Sequence, residues 1–344
     1  MTPIGKKKRV SRFVPSLAVA LMLCAACRER QEQAQGERSV DHWTRIERVG
    51  RYTFVGDVLE DEDLSSLACI SGRYGLIGAD EACAVQVVEL SRDAKTLTIV
   101  RTVPLIASDE EIDIEGIAAS ANGYYIIGSH GISKKRGERQ DSRFAIFHLA
   151  ADSDTGMPLE SGGARAASLS HILRADRALG DHFGKPLQHK GVNIEGLAIR
   201  DGRLFVGFRG PNLDGDAFVM EIAADDVFSR RSQPSYTLHR LALGPGLGIR
   251  EIVASRKGFL LIAGNAGSAP SGVFDRAEDY DEDRGFSLYF WGGPGHDVRR
   301  IGAIPDASGK AEAMAILEEA ADCITVLILF DGPERGRPSI YRIS

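Results

Sequence analysis

Cysteine is scarce in this chain, and its spacing suits no metal. Of five cysteines, Cys24 and Cys27 lie near the start, leaving only Cys69, Cys83 and Cys323 for the rest. Among these three no CxxC and no Cys/His run occurs, which removes the usual zinc signatures from the exported part. In an oxidising compartment three thiols allow one disulfide at most, with Cys69 and Cys83 the candidate pair. The other reading is three small buried apolar side chains. Beyond residue 27 no apolar run approaches the roughly 18 residues of a spanning helix. An excess of basic charge is lacking as well. The 42 Lys and Arg against 48 Asp and Glu give a formal net charge of -6, which speaks against a nucleic-acid partner. G-x-S-x-G, H-E-x-x-H and P-loop motifs are all missing. Asp279 to Gly285 alternates carboxylates like a calcium loop, but its Gly comes one place late and the closing Glu is missing. It reads as an acidic solvated loop.

What is present begins with a leader. Lys6, Lys7, Lys8 and Arg9 precede an apolar run from Phe13 to Ala26, the order of an export signal. Leu23-Cys24-Ala25-Ala26-Cys27 has the form of a lipobox, with Cys27 as the lipidated residue. Because Cys24 stands where Leu or Val is preferred, simple cleavage after Ala26 stays open. The expected organisation is a lipoprotein-type signal at 1–27, a solvated flexible tether at 28–42 and a single domain at 43–344. The protein is then exported to the cell envelope, on the periplasmic side of the outer membrane, and meets the membrane only through its anchor.

Glycine is abundant, at 38 residues, and it punctuates a repeat. Five segments align: 65–80, 115–130, 195–209, 251–265 and 312–331. Each opens on Glu or Ser, with an apolar residue two places on and then Ala: Leu67-Ala68, Ile117-Ala118, Leu197-Ala198, Val253-Ala254, Met314-Ala315. Four turn at a glycine (Gly72, Gly123, Gly202, Gly258), the residue that tolerates the positive φ of a tight hairpin. Third strands follow at 84–90, 144–149, 217–222, 286–291 and 339–343. Fourth strands follow at 97–105, 167–173, 236–243 and 298–304. Four antiparallel strands per repeat predict an all-β fold, a β-propeller of five four-stranded blades. The last repeat lacks its outer strand, and Arg51–Leu59 is the candidate to supply it, pairing the N-terminal strand with the C-terminal blade so that no edge stays open. The long second interval holds an insertion at 151–165 and 174–191; a degenerate sixth blade there is the alternative.

Folding each hairpin about its turn places Glu195 opposite Arg209, Glu115 opposite Ser129 and His130, Glu251 opposite Asn265, Ser65 near Asp80, and Glu312 near Asp331. These ends gather at one mouth of the channel. The expected ligand site is therefore Glu115, Glu195, Glu251 and Glu312 with Asp80, Asp113, Asp331, Asn193, Asn265, His130, Arg209 and Arg250. Carboxylates so gathered raise one another's pKa, pair with Arg, or share a hard cation such as calcium, with Glu115 and Glu195 the candidate ligands. Arg209 and Arg250 can instead face an anion. The plainest reading of any single pair, Glu195–Arg209 included, is an ion pair with nothing bound.

The combination of Asp113-Ile-Glu-Gly-Ile-Ala with Gly128-Ser-His-Gly, Asn193-Ile-Glu-Gly-Leu-Ala-Ile with Gly207-Phe-Arg-Gly-Pro, and Gly246-Leu-Gly-Ile-Arg-Glu-Ile resembles a bacterial exported propeller family of unknown function. More distantly it is similar to phytase-like and esterase-like propellers, which share Asp-x-Glu-Gly. The nearer resemblance implies the fold and no catalytic residue. The distant one implies calcium and phosphate at the channel mouth, with Glu115 and Glu195 matching the shared Glu. The expected function is binding of a small anionic or metal-bridged ligand. A metal-assisted phosphoesterase or esterase is the first alternative, and a protein-interaction scaffold with an inert channel the second.

Overall fold

The hairpin at Asp201-Gly202 shows how each repeat begins. Both residues have positive φ, +52° and +71°, as a type I′ turn requires. They join the strands Asn193–Arg200 and Arg203–Gly210, and Asp216–Ala223 and Tyr236–Ala242 complete an antiparallel sheet in that order. The computed structural model describes residues 43–70, 73–160, 163–229 and 234–344. The leader, the tether, Cys27 and the turn at Gly72 lie outside them.

Five sheets of this kind form a five-bladed propeller. The innermost strands, first blade to fifth, are Leu64–Cys69, Ile114–Ser120, Asn193–Arg200, Leu247–Ser255 and Lys310–Glu319. The core lies between blades rather than within them, because both faces of each sheet are covered. Leu76, Val85 and Val87 of the first blade pack on Ile117, Ile126 and Phe147 of the second. Phe205 and Val219 of the third meet Phe259 and Trp291 of the fourth. Each fully buried side chain of this size is worth about 1.5–3 kcal/mol relative to exposure.

Closure departs from the sequence expectation in its residues. The strand that completes the fifth blade is Ile46–Arg51, antiparallel to Ser339–Ile343. The more apolar stretch after it does something else: Thr53–Val55 runs parallel to the outer strand of the first blade, Thr96–Pro104, and buries Phe54. The closing strand alternates half-buried and exposed residues, so only one face of it reads as apolar. Thr44 and Arg45 extend the seam, both donating to the Ser344 carbonyl at 3.1 and 3.0 Å.

The second blade differs too. Its outer strand is only Arg165–Ala167, and Ser170–Ala175, which overlaps the strand expected at 167–173, is a helix. Leu169, Ile172 and Leu173 then fall on one helical face and fill the layer between the second and third blades. The remainder of the insertion forms short 3-10 turns at Gly180–His182 and Leu187–His189, not a sixth blade. Cys69, Cys83 and Cys323 are free thiols, and burial pushes Cys69 up to about 12.

Candidate functional site

A bulge recurs at the same place in every inner hairpin. Register slips between Leu64 and Ser66, Ile114 and Gly116, Ile194 and Gly196, Ile249 and Glu251, and Ala311 and Ala313. The residue skipped has no partner across the ladder, and a bulge re-aims its side chain. Those residues are Ser65, Glu115, Glu195, Arg250 and Glu312. Glu115, Glu195, Arg250 and Glu312 line one cavity of about 160 Å³. Ser65 instead bonds to the Ile114 carbonyl of the next blade.

Arg250, not Glu251, is thus the fourth blade's counterpart of Glu195. Glu251 sits one register position deeper, where the other blades carry Ser66, Gly116, Gly196 and Ala313. In the second and third blades glycine is needed there: a Cβ on Gly196 would come within 2.9 Å of the Ile252 amide nitrogen, and one on Gly116 within 3.0 Å of that of Leu197. Glu251 is fully buried and accepts from the Ile252 amide at 2.7 Å. Burial raises its pKa well above the usual range, against the pull of the Ile252, Met314 and Leu197 amides. It closes the floor beneath the mouth rather than lining it.

The mouth has two halves. In one, guanidinium groups are spent on carboxylates. Arg250 Nε lies 2.6 Å from Glu195 Oε2, and its Nη2 pairs with Glu312. Arg209 Nη1 donates to Glu195 Oε1 at 2.7 Å, and its other nitrogens donate to the Asn265 and Gly267 carbonyls at 3.1 and 2.9 Å. Burial and the nearby Arg209 lower the Arg250 pKa, which Glu195 opposes. The guanidinium stays charged.

The other half is acidic. Asp80, Asp113 and Glu115 bring one ligand atom each within 4.8 Å of one another, and Asp80, Glu312 and Asp331 do the same. Asp80 belongs to both groups. Asp113 pairs with Arg143, and Asp331 with Lys310. Asp80 Oδ1 is buried without a hydrogen-bond partner. Glu115 is 7% exposed and makes no ion pair among the described residues. Burial first, then Asp113, Asp331 and Glu195, hold the Asp80 pKa well above the carboxylate range. Burial first, then Asp80, Glu195 and Asp113, do the same to Glu115. Asp113 itself sits at a φ of +56°, an uncommon conformation for a residue with a Cβ.

Two sequence-derived candidates stand away from the cavity. His130 is fully buried; its Nδ1 donates to the Gly128 carbonyl at 3.0 Å, and its Nε2 accepts from the Leu169 amide at 3.2 Å. Burial lowers its pKa to about 4. Its place is structural, tying the second blade to the insertion helix. Asn265 bonds through its side chain to Asp281 in the acidic loop. Asn193 does line the cavity, with its Oδ1 buried and unpartnered. Reasoning from the repeats overlooked Arg143, Gln188 and Lys310, which also line it. Lys310 stands opposite Asp331 in the ladder, so hairpin counting had the means to find it. Arg143 and Gln188 come from 3-10 turns outside the repeat, where no local pattern marks them.

A family described as "Protein of unknown function (DUF3616)" matches residues 63–156 and 150–340. No curated protein matches the sequence. Among solved structures it is similar to an exo-beta-1,3-galactanase from Phanerochaete chrysosporium: 12% identity over 87% of this chain and 63% of that one, TM-score 0.47. It is also similar to the PQQ-bound aldose sugar dehydrogenase of Streptomyces coelicolor, with 14% identity, 87% and 98% coverage and a TM-score of 0.44. The tail fiber of Staphylococcus aureus phage P68 matches at 9% identity and TM-score 0.42, over 87% of this chain and 52% of the fiber, about half its length. At these identities the likeness concerns the fold.

Proposed function

The chain belongs to DUF3616, a family to which no chemistry is assigned, and we propose from its own residues that it is a ligand-binding propeller whose channel mouth holds a divalent cation. One observation carries this reading: Asp80, whose Oδ1 is buried without a partner, and Glu115, buried and without an ion pair among the described residues, lie close together, while Asp113, Glu195, Glu312 and Asp331 are paired. Such groups stay protonated, at the expense of ionisation, or share a cation. The donors are all oxygen, from Asp80, Asp113, Glu115, Glu312 and Asp331, which suits calcium or another hard cation better than a thiol- or imidazole-preferring metal. Glu195, a ligand expected from sequence, has both oxygens engaged by Arg209 and Arg250, so Asp80 takes its place in the proposal. A hydrolase would need those guanidinium groups to face developing negative charge, and they are already occupied.

Calorimetric titration of chelator-treated protein with calcium tests the site. Saturable binding is expected, and Asp80→Asn should weaken it by more than the roughly 10–100-fold that loss of a mere supporting partner costs. Equal binding by the two proteins would overturn the reading.

The proposed setting is the cell envelope, with Cys27 as the lipid attachment point and 28–42 as the tether; the sequence order of basic run, apolar run and lipobox supports it. Expressed in a bacterial host, the full chain should fractionate with membranes, and Cys27→Ser should release it to the soluble fraction. Membrane association unchanged by that substitution would discard the anchor.

A further inference from the structure

Donors and acceptors around the mouth can be accounted for one by one, and acceptors dominate the remainder. Nine carboxyl groups and six Lys and Arg line the cavity. Arg143, Arg209, Arg250, Lys135 and Lys310 already pair with carboxylates. Lys134, the sixth, is exposed at the rim. Among the charged and amide side chains, the buried atoms left without a partner are mainly acceptors, Asp80 Oδ1, Asn193 Oδ1 and Gln188 Oε1, with Arg143 Nε the donor beside them; Glu115 adds a carboxylate that makes no ion pair among the described residues.

The two amide oxygens set the ligand's chemistry. Gln188 and Asn193 are only 7% and 6% exposed. Gln188 Nε2 donates to the Ala269 carbonyl at 3.1 Å, which fixes the amide and leaves Oε1 as its open acceptor. A buried acceptor left unmatched costs about 1–3 kcal/mol, so both positions ask for an O–H or N–H. Calcium takes six to eight oxygens, and oxygens of a co-ligand complete such a set. Hydroxyl groups answer both demands, because an alcohol offers its oxygen to a cation and its proton to a carbonyl. Phosphate offers oxygens and fewer protons than a polyol, and it brings more negative charge to a wall already rich in it.

Resting on the cation reading, we infer that the mouth takes a neutral polyhydroxylated ligand, a sugar ring or cyclitol, chelated at the cation through vicinal hydroxyls and hydrogen-bonded by Gln188 and Asn193. A cavity of about 160 Å³ holds about five waters' share of liquid volume, the scale of one ring rather than a polymer. A free monosaccharide and the end of a glycan share this chemistry.

The test is calcium calorimetry on the full chain, alone and with millimolar methyl pyranosides of differing hydroxyl configuration, myo-inositol, glycan oligomers or inorganic phosphate. At least one polyol should tighten calcium binding several-fold, because coupling between two ligands is reciprocal. Tightening by oligomers alone would identify a glycan end as the source. Gln188→Leu and Asn193→Leu should each weaken the polyol by roughly five- to tenfold, about one hydrogen bond's worth. Their calcium affinity without polyol reports that they are folded, and either variant suffices. If calcium binds and no polyol changes its affinity, or only phosphate does, the inference is wrong while the cation reading stands. If calcium does not bind at all, both fall.

Discussion

Replacing Arg250 with Met should destabilise the protein by about 3–5 kcal/mol, the cost of leaving buried charge uncompensated. Arg250 is 2% exposed and faces Glu195 and Glu312, themselves 2% and 3% exposed. Met fills much of the same volume, so the loss is electrostatic rather than a cavity. Arg250→Lys should rescue only part of it, since an ammonium cannot address Glu195 and Glu312 with a planar fork. The triple variant Arg250→Met, Glu195→Gln, Glu312→Gln should recover much of the stability, because no ion is then stranded. Urea denaturation of the series measures all three. A loss below about 1 kcal/mol for Arg250→Met, the range of exposed pairs, would show that the mouth is far wetter than these burials indicate.

Adding calcium should abolish the loss of stability that Asp80 and Glu115 impose as pH rises. Asp80 and Glu115 have folded pKa values raised above their unfolded ones of about 3.9 and 4.3. Their contribution is therefore fully present below about pH 4 and is lost as pH rises from there through their folded values. His130 runs the other way. Its folded value of about 4 lies below the unfolded value near 6.5, so stability is full above about 6.5 and falls by about 3 kcal/mol as pH drops to 4. Without calcium the two limbs oppose each other. With calcium in hundredfold excess over its Kd, worth about 2.7 kcal/mol, the folded carboxyls of Asp80 and Glu115 are ionised and their limb is lost, leaving the His130 limb opposed by the buried Glu251. The stabilisation by calcium should accordingly grow from pH 5 to pH 8. Thermal melts across this range decide it, and a calcium effect independent of pH would mean that these two carboxyls do not hold the ion. In the double variant Asp80→Asn, Glu115→Gln, the calcium-free profile should already match that of the calcium-loaded protein in shape.

How far the sequence reveals this molecule depends on whether the controlling interaction is local. The five hairpins are legible because Gly turns and two-residue alternation act over a dozen residues, as Asp201-Gly202 shows. The bulges are not, since one extra residue changes which side chain faces the channel without disturbing the apolar pattern. Glu251 looks like Glu195 because each precedes an apolar-Ala pair. Yet the fourth hairpin turns on Arg256-Lys257, with Gly258 just past the tip, and the register moves the role to Arg250. The seam misleads for a related reason: Phe54 and Val55 look more strand-like than Ile46–Arg51, whose apolar partners lie at the far end of the chain. Gln188 and Arg143 reach the mouth from turns outside any repeat, so only tertiary structure brings them there.

The pairing of Ile46–Arg51 with Ser339–Ile343 also sets an order of events during synthesis. The first described strand must wait for its neighbour until nearly the whole ring has been translated. Until then both flanks of the incomplete circle are sticky β-edges, open to a second nascent chain as readily as to each other. A ring joined in this manner is at greatest risk of aggregation just before it closes, and crowding of ribosomes on its message should make that risk worse.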